Sequence, residues 1–249
     1  MNQVIICATG LSIATLIGAV LGFCIKALPH KWNDTVMGFC AGVMLSASVL
    51  GLIVPSMDMT QHIWLPFLGV LTGAVFLNVI DFVTPHLHKI TGLEFEQHSN
   101  NSSIDKVLLF VLAIAIHKLP EGMATGVGFN NTENIHGAWS VAFGIALQNI
   151  PEGMVVISPL LLLGVSKTRT FLISVVICIL ELIGVFLGYF LGSISMYFLP
   201  FMLSFAGGAM LYVVSDEMIP ETHAHGYQKQ ATFALLIGFM IVIIMEKIV

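Results

Sequence analysis

Two short stretches of this chain place polar and ionisable side chains in apolar sequence at the spacing of a helix face. The first reads Ile114-Ala-Ile-His-Lys-Leu-Pro-Glu-Gly-Met123 and the second Ile145-Ala-Leu-Gln-Asn-Ile-Pro-Glu-Gly-Met154. His117 and Glu121 are four residues apart, so on an α-helix they stand nearly one above the other. Gln148 and Glu152 repeat that spacing, and Asn149 comes three residues before Glu152. Imidazole nitrogen with carboxylate oxygen is a ligand set for Zn²⁺, and also for Fe²⁺, Mn²⁺ or Cd²⁺. Two carboxylates offset the dehydration and charge of a divalent cation. Pro120 and Pro151 cannot donate to the carbonyls of Ile116 and Leu147, which a kink can turn toward a cavity. Gly122 and Gly153 allow close helix contact beside each kink. A plainer reading makes these two kinked packing helices with protonated or hydrogen-bonded glutamates. It accounts for the prolines and glycines but not for the adjacent histidine and amides.

Other candidates flank this pair. Lys118 either pairs with Glu121 or Glu152, or snorkels away on a different face; neighbouring helix positions are ~100° apart, and spacing does not choose between them. Glu181, between Leu180 and Leu182, needs a partner, either in a metal cavity or as an interhelical hydrogen bond. Asp216 and Glu217 suit a pathway mouth. Glu221, His223 and His225 read as a cytoplasmic way-station or equally as a solvated cap. Met44, Ser48 and Asp58 could line a path, although a lone Met is more often packing. His86, His88 and His98 are weak metal candidates in a polar loop, some of them ordinary surface histidines.

The elements that must position these residues cross a membrane. Of 249 residues 57% are hydrophobic and only 9% charged, against roughly 25% charged in soluble domains. About 20 apolar residues span the hydrocarbon layer. Eight segments qualify, at 3–25, 34–57, 63–83, 106–129, 136–163, 170–195, 199–220 and 229–247. The fold expected is therefore an all-α integral membrane protein, one transporter domain over 1–249, with Pro-kinked helices four and five forming a midplane metal site. The segment from Val4 to Ile25 lacks a basic leader and a small-residue cleavage site, and reads as a first span rather than a signal peptide. The longest connection, 84–105, is expected to be a cytoplasmic loop. Lys26, Lys31, Lys89, Lys106, Lys167, Arg169 and Lys229 fall on one side of an eight-span layout, with Lys247 at the C-terminal edge. The positive-inside rule then puts both termini outside the cytoplasm, in a cell inner (plasma) membrane. Nine basic residues leave no patch for nucleic acid. Cys7, Cys24, Cys40 and Cys178 lie in apolar runs without C-x-x-C spacing and read as small apolar side chains.

The paired HKLPEG at 117–122 and QNIPEG at 148–153 resemble the signature helices of the ZIP family of metal-ion permeases, in particular its bacterial ZupT- and GufA-like branch. The resemblance runs over nearly the whole chain. It implies metal ligands at His117, Glu121, Gln148, Asn149 and Glu152, with Glu181 approaching a second site. It further implies outer-pathway positions at Met44 and Asp58 and inner-pathway positions at Asp216 and Glu217. Family members resemble elevator-type carriers and commonly form homodimers. Lys118 departs from the pattern, which has Asn there as a second-site ligand. The preferred expectation is one metal held chiefly by His117, Glu121, Gln148 and Glu152, with Lys118 as a fixed counter-charge.

The function expected is zinc uptake into the cytoplasm by an alternating-access carrier, with Cd²⁺, Fe²⁺ or Mn²⁺ as further substrates and the bilayer as surroundings. A channel-like permease is the nearest rival. An intramembrane metalloenzyme would want H-E-x-x-H, which is absent, and a metal sensor would want a soluble output domain.

Overall fold

The computed structural model describes residues 1–24, 29–83, 118–130, 135–162, 165–194 and 198–248. The 84–105 loop with His86, His88 and His98 lies outside them, as do His117 and the first half of the fourth expected span. The described residues form α1 (Asn2–Cys24), α2 (His30–Asp58), α3 (Trp64–Val83), α4 (described over 118–128), α5 (Ile135–Leu162), α6 (Lys167–Ser193), α7 (Leu199–Thr222) and α8 (Gln228–Ile248). Five of them, α1, α2, α6, α7 and α8, are long and apolar enough over described residues to cross a membrane.

Their ends follow local chemistry. Ser166 caps α6, accepting from the Arg169 amide at 3.4 Å. Pro200 sits in the first turn of α7, where a missing N–H costs nothing. Gly226, at φ 88°, supplies the left-handed turn between α7 and α8. Both α2 and α7 widen into π-helix, at Ala47–Ile53 and Val214–Met218, immediately ahead of Pro55 and Pro220. Such bulges collect at functional sites.

Sidedness is inverted relative to a water-soluble protein. Ile6, Ile13 and Ile17 of α1, Leu172, Ile179 and Ile183 of α6, and Phe233, Ile237 and Ile244 of α8 point outward and are exposed. Thr15, Ser46, Lys118, Glu121, Gln148, Asn149 and Glu181 are buried. Lipid rather than water is the solvent that such an exterior matches.

The helices divide into two bundles. In one, α1 packs on α5 and α6, and α4 on α6; in the other, α2 packs on α8, and α3 on α7. Glycines four apart form the seams, as Gly18 and Gly22 on α1, Gly38 and Gly42 on α2, Gly122 and Gly126 on α4, and Gly184 and Gly188 on α6. A methyl group on Gly42 would run into the Leu235 carbonyl, and one on Gly122 into the Glu181 carbonyl. Among the described residues, wherever a glycine brings it hard against another helix's backbone, that helix belongs to the same bundle. Between bundles the described glycines meet side chains, Gly51 of α2 facing Val141 of α5 and Gly144 facing Val43 and Val242, and the Cys40 thiol of α2 lies 3.8 Å from the Gln148 carbonyl of α5. Each bundle is thus stitched backbone to backbone, and the boundary between them is not.

Candidate metal centre

The described polar side chains that form one buried cluster come from the α1–α4–α5–α6 bundle. The α4–α6 seam at Gly122 sets Glu121 beside the face of α6 that carries Glu181. The α1–α5 seam at Gly18 brings the Asn149–Ile150 backbone against α1, and Gly153 meets α1 at the Thr15 carbonyl. Close backbone approach thus converges four helices on one point, with Lys118 at the centre. Its ammonium donates to Glu121 Oε2 at 2.6 Å, Asn149 Oδ1 at 2.7 Å and Glu152 Oε2 at 2.7 Å. An ammonium has three N–H groups, and these three oxygens take one each.

A further set of bonds closes the cluster. Gln148 Nε2 donates to Glu121 Oε1 at 2.7 Å, while its own Oε1 is buried with no hydrogen-bond partner among the described residues. Asn149 Nδ2 donates to Glu181 Oε1 at 2.6 Å. Thr15 Oγ1 lies 3.0 Å from Glu181 Oε2 and 3.1 Å from the Leu11 carbonyl, so its single proton serves one or the other. Glu152 is the most accessible member, with its side chain 20% exposed, whereas Lys118, Glu121, Gln148, Asn149 and Glu181 are buried. A small cavity, about one water molecule in size, adjoins Lys118 and Glu152 and is walled by Thr15, Ala19, Val156, Ser174 and Ile177.

These positions decide one alternative that spacing leaves open. Lys118 does not snorkel; it bridges Glu121 and Glu152. Glu181 makes interhelical hydrogen bonds and joins the cluster through Asn149. His117 lies outside the described residues, directly before Lys118. Among the described residues, no three of His, Cys, Asp or Glu are arranged to hold a metal ion. The physical reason is visible: the oxygens that could converge on an ion converge on the ammonium.

The other pathway candidates lie on α2, on α7 and in the turn after α7. Met44 is buried on α2, and Asp58 is exposed at that helix's end. Asp216 is exposed and Glu217 half-buried in the π-helical segment of α7. His223 Nδ1 lies 2.8 Å from the Ile219 carbonyl, a capping contact. His225 Nδ1 is 3.1 Å from Asp34 Oδ1, and its ring stacks on His30 with centroids 4.5 Å apart.

Thr15 and Asp34 are two buried polar residues that spacing did not single out. Thr15 could have been found from the small-residue face it shares with Gly18 and Gly22. Asp34, fully buried at the start of α2, carries no comparable sequence signal.

Residues 95–246 match the family model described as ZIP Zinc transporter. The zinc transporter ZIPB of Bordetella bronchiseptica is 35% identical over 241 residues, spanning 94% of this chain and 77% of that protein. The zinc transporter GufA of Myxococcus xanthus is 36% identical over 241 residues, spanning 94% of this chain and 93% of that protein. The zinc transporter ZupT of Chlorobaculum parvum is 30% identical over 246 residues, spanning 92% of this chain and 91% of that protein. A membrane-type exterior, a buried carboxylate–amide cluster on apolar helices and these similarities over almost the whole length place the chain in the ZIP zinc transporter family.

Proposed function

We propose that the protein takes up Zn²⁺ into the cytoplasm by alternating access, one ion at a time, through the cluster around Lys118. The observation that carries this reading is that the described cluster belongs wholly to one of two bundles whose backbone seams are internal. A body that holds the ion and moves past its neighbour needs a boundary of side chains rather than locked backbones, as α2 against α5 provides.

The ion's protein ligands are His117, Glu121, Gln148 and Glu152, with Asn149 and Glu181 holding their neighbours in place. The unpartnered Gln148 Oε1 supports this assignment, because a buried acceptor without a donor suits a cation. Eight spans with the Lys- and Arg-bearing connections inside give both termini an external position. In that orientation Ala19, Val156 and Ile177 lie further toward the cytoplasm than Thr15, Glu152 and Glu181 on the same helices. The cavity they line then opens inward from the cluster.

The cycle begins with a partly hydrated ion exchanging water for carboxylate, amide and imidazole. The bundle then shifts, and the ion leaves past Glu152, the most accessible member. Release requires modest binding, unlike a structural zinc site. Cd²⁺, Fe²⁺ and Mn²⁺ accept overlapping ligands and are tested beside Zn²⁺.

The test is metal flux into proteoliposomes by the intact chain, His117→Ala and Glu121→Ala. Saturable Zn²⁺ flux that falls at least about 100-fold in both variants supports the carrier, since each removes a direct ligand. Folded, metal-binding protein with no flux under any gradient overturns it in favour of a sensor or enzyme, and non-saturating flux favours a channel.

A further inference from the structure

We propose that Lys118 is a tethered competitor of the transported ion: metal binds only as the ammonium gives up its bond to Glu121, and the small cavity beside Glu152 is where the ammonium goes. This rests on the metal site proposed above and adds to it a second position for one side chain.

The oxygens define the competition. Glu121 Oε2 and Glu152 Oε2 hold the ammonium at 2.6 and 2.7 Å. A Zn²⁺ ion draws carboxylate oxygens to about 2.0–2.2 Å. Both cations cannot use the same pair of atoms, and two positive charges in a buried site repel strongly. Lys118 must therefore give up at least one glutamate for the other cation to be held.

The retreat has a destination of the right size, its wall mostly apolar but including Glu152 and two hydroxyl-bearing side chains. The cavity touches Lys118 itself, so the head group moves without leaving its surroundings. Its volume is about that of one water, which an ammonium head group matches. Two of its lining residues, Thr15 and Ser174, carry hydroxyls. Ser174 donates its proton to the Thr170 carbonyl at 3.2 Å, and Thr15 donates its own toward Glu181 or Leu11, so both leave oxygen lone pairs unspent. Glu152 borders cradle and cavity alike, allowing the ammonium to keep one carboxylate partner throughout. A lysine, with its flexible four-carbon stem, is suited to such a swing.

The test is a double-mutant cycle in Zn²⁺ affinity, measured by titration of purified protein in lipid nanodiscs. Ser174→Val fills the cavity, and Lys118→Met removes the ammonium while keeping the stem. Expected results are about tenfold weaker Zn²⁺ binding in Ser174→Val, at least tenfold tighter binding in Lys118→Met, and no further effect when Ser174→Val is added to Lys118→Met. Equal weakening by Ser174→Val in both backgrounds, or none in either, overturns the proposal. Should Lys118→Met fail to fold, a crystal structure of the Zn²⁺-loaded wild type decides, with the ion placed by its anomalous scattering and Nζ by the electron density. Nζ moved into the cavity supports the swing, and Nζ still bonded to all three oxygens beside the ion overturns it. A wild type that binds no Zn²⁺ sinks the metal site itself, a separate failure that the flux assay reads independently.

Discussion

Gln148 shows how much the centre depends on single atoms. Its Nε2 fixes one oxygen of Glu121, and its Oε1 is a buried acceptor without a donor among the described residues. Leaving such an atom unpaired costs about 1–3 kcal/mol, which metal coordination would recover. Gln148→Leu removes both functions, so we expect Zn²⁺ kcat/KM in proteoliposomes to fall about 10- to 100-fold while thermal stability holds or rises. Unchanged transport would remove Gln148 from the ligand set. The shared face of Gln148 with Glu152 was legible, because helical spacing is a property of sequence; His117 lies outside the described residues. The direction of Lys118 was not, since one step of about 100° separates cavity from lipid. Thr15 stayed hidden for a different reason: a hydroxyl in a helix always has its own backbone carbonyl as a default partner, here Leu11.

Among the elements, the glycine seams carry the fold. Gly42→Leu would push α2 off α8 at Leu235, and such overpacking costs about 1–3 kcal/mol. We expect the melting temperature of the detergent-purified protein to fall by several degrees. Gly10→Leu is the control, because a side chain there meets nothing within 4 Å, and we expect no loss of stability. Equal behaviour of the two variants would mean that the seams are not tight. The four-residue glycine spacing was present in the sequence, but only the structure says which helix each pair meets. The π-helical segments were not legible at all. A π bulge shifts helix register by one residue, and Pro55 or Pro220 alone suggests only an ordinary kink.

For the molecule as a whole, the question is whether the two bundles move relative to each other. A Cβ built on Gly51 would lie 3.5 Å from Val141 Cβ across the boundary, a separation suited to a disulfide. In a background without the four native cysteines, Gly51→Cys with Val141→Cys should abolish Zn²⁺ flux on oxidation and recover it on reduction. Gly128→Cys with Ala138→Cys joins α4 to α5 inside one bundle, with Cβ atoms 3.6 Å apart. That bridge should leave flux intact, and flux surviving the first bridge would sink the two-body cycle. At this scale the sequence reading was strongest, because hydropathy alone marked out long apolar helices, including the five that meet span criteria in the structure. The division into bundles depends on which helix pairs with which, and hydropathy carries no such information. The make-up of the moving cluster has an electrical consequence. Counted by formal charge, one ammonium against the three carboxyl groups of Glu121, Glu152 and Glu181 sums to two negative charges, which a single divalent ion offsets. In the proposed cycle, the loaded cluster would cross the membrane field as a formally neutral object, and the empty one would return outward with two negative charges. An interior-negative potential drives that return by about 2.3 kcal/mol per charge per 100 mV. Voltage thus acts on the resetting of the carrier rather than on the passage of its cargo.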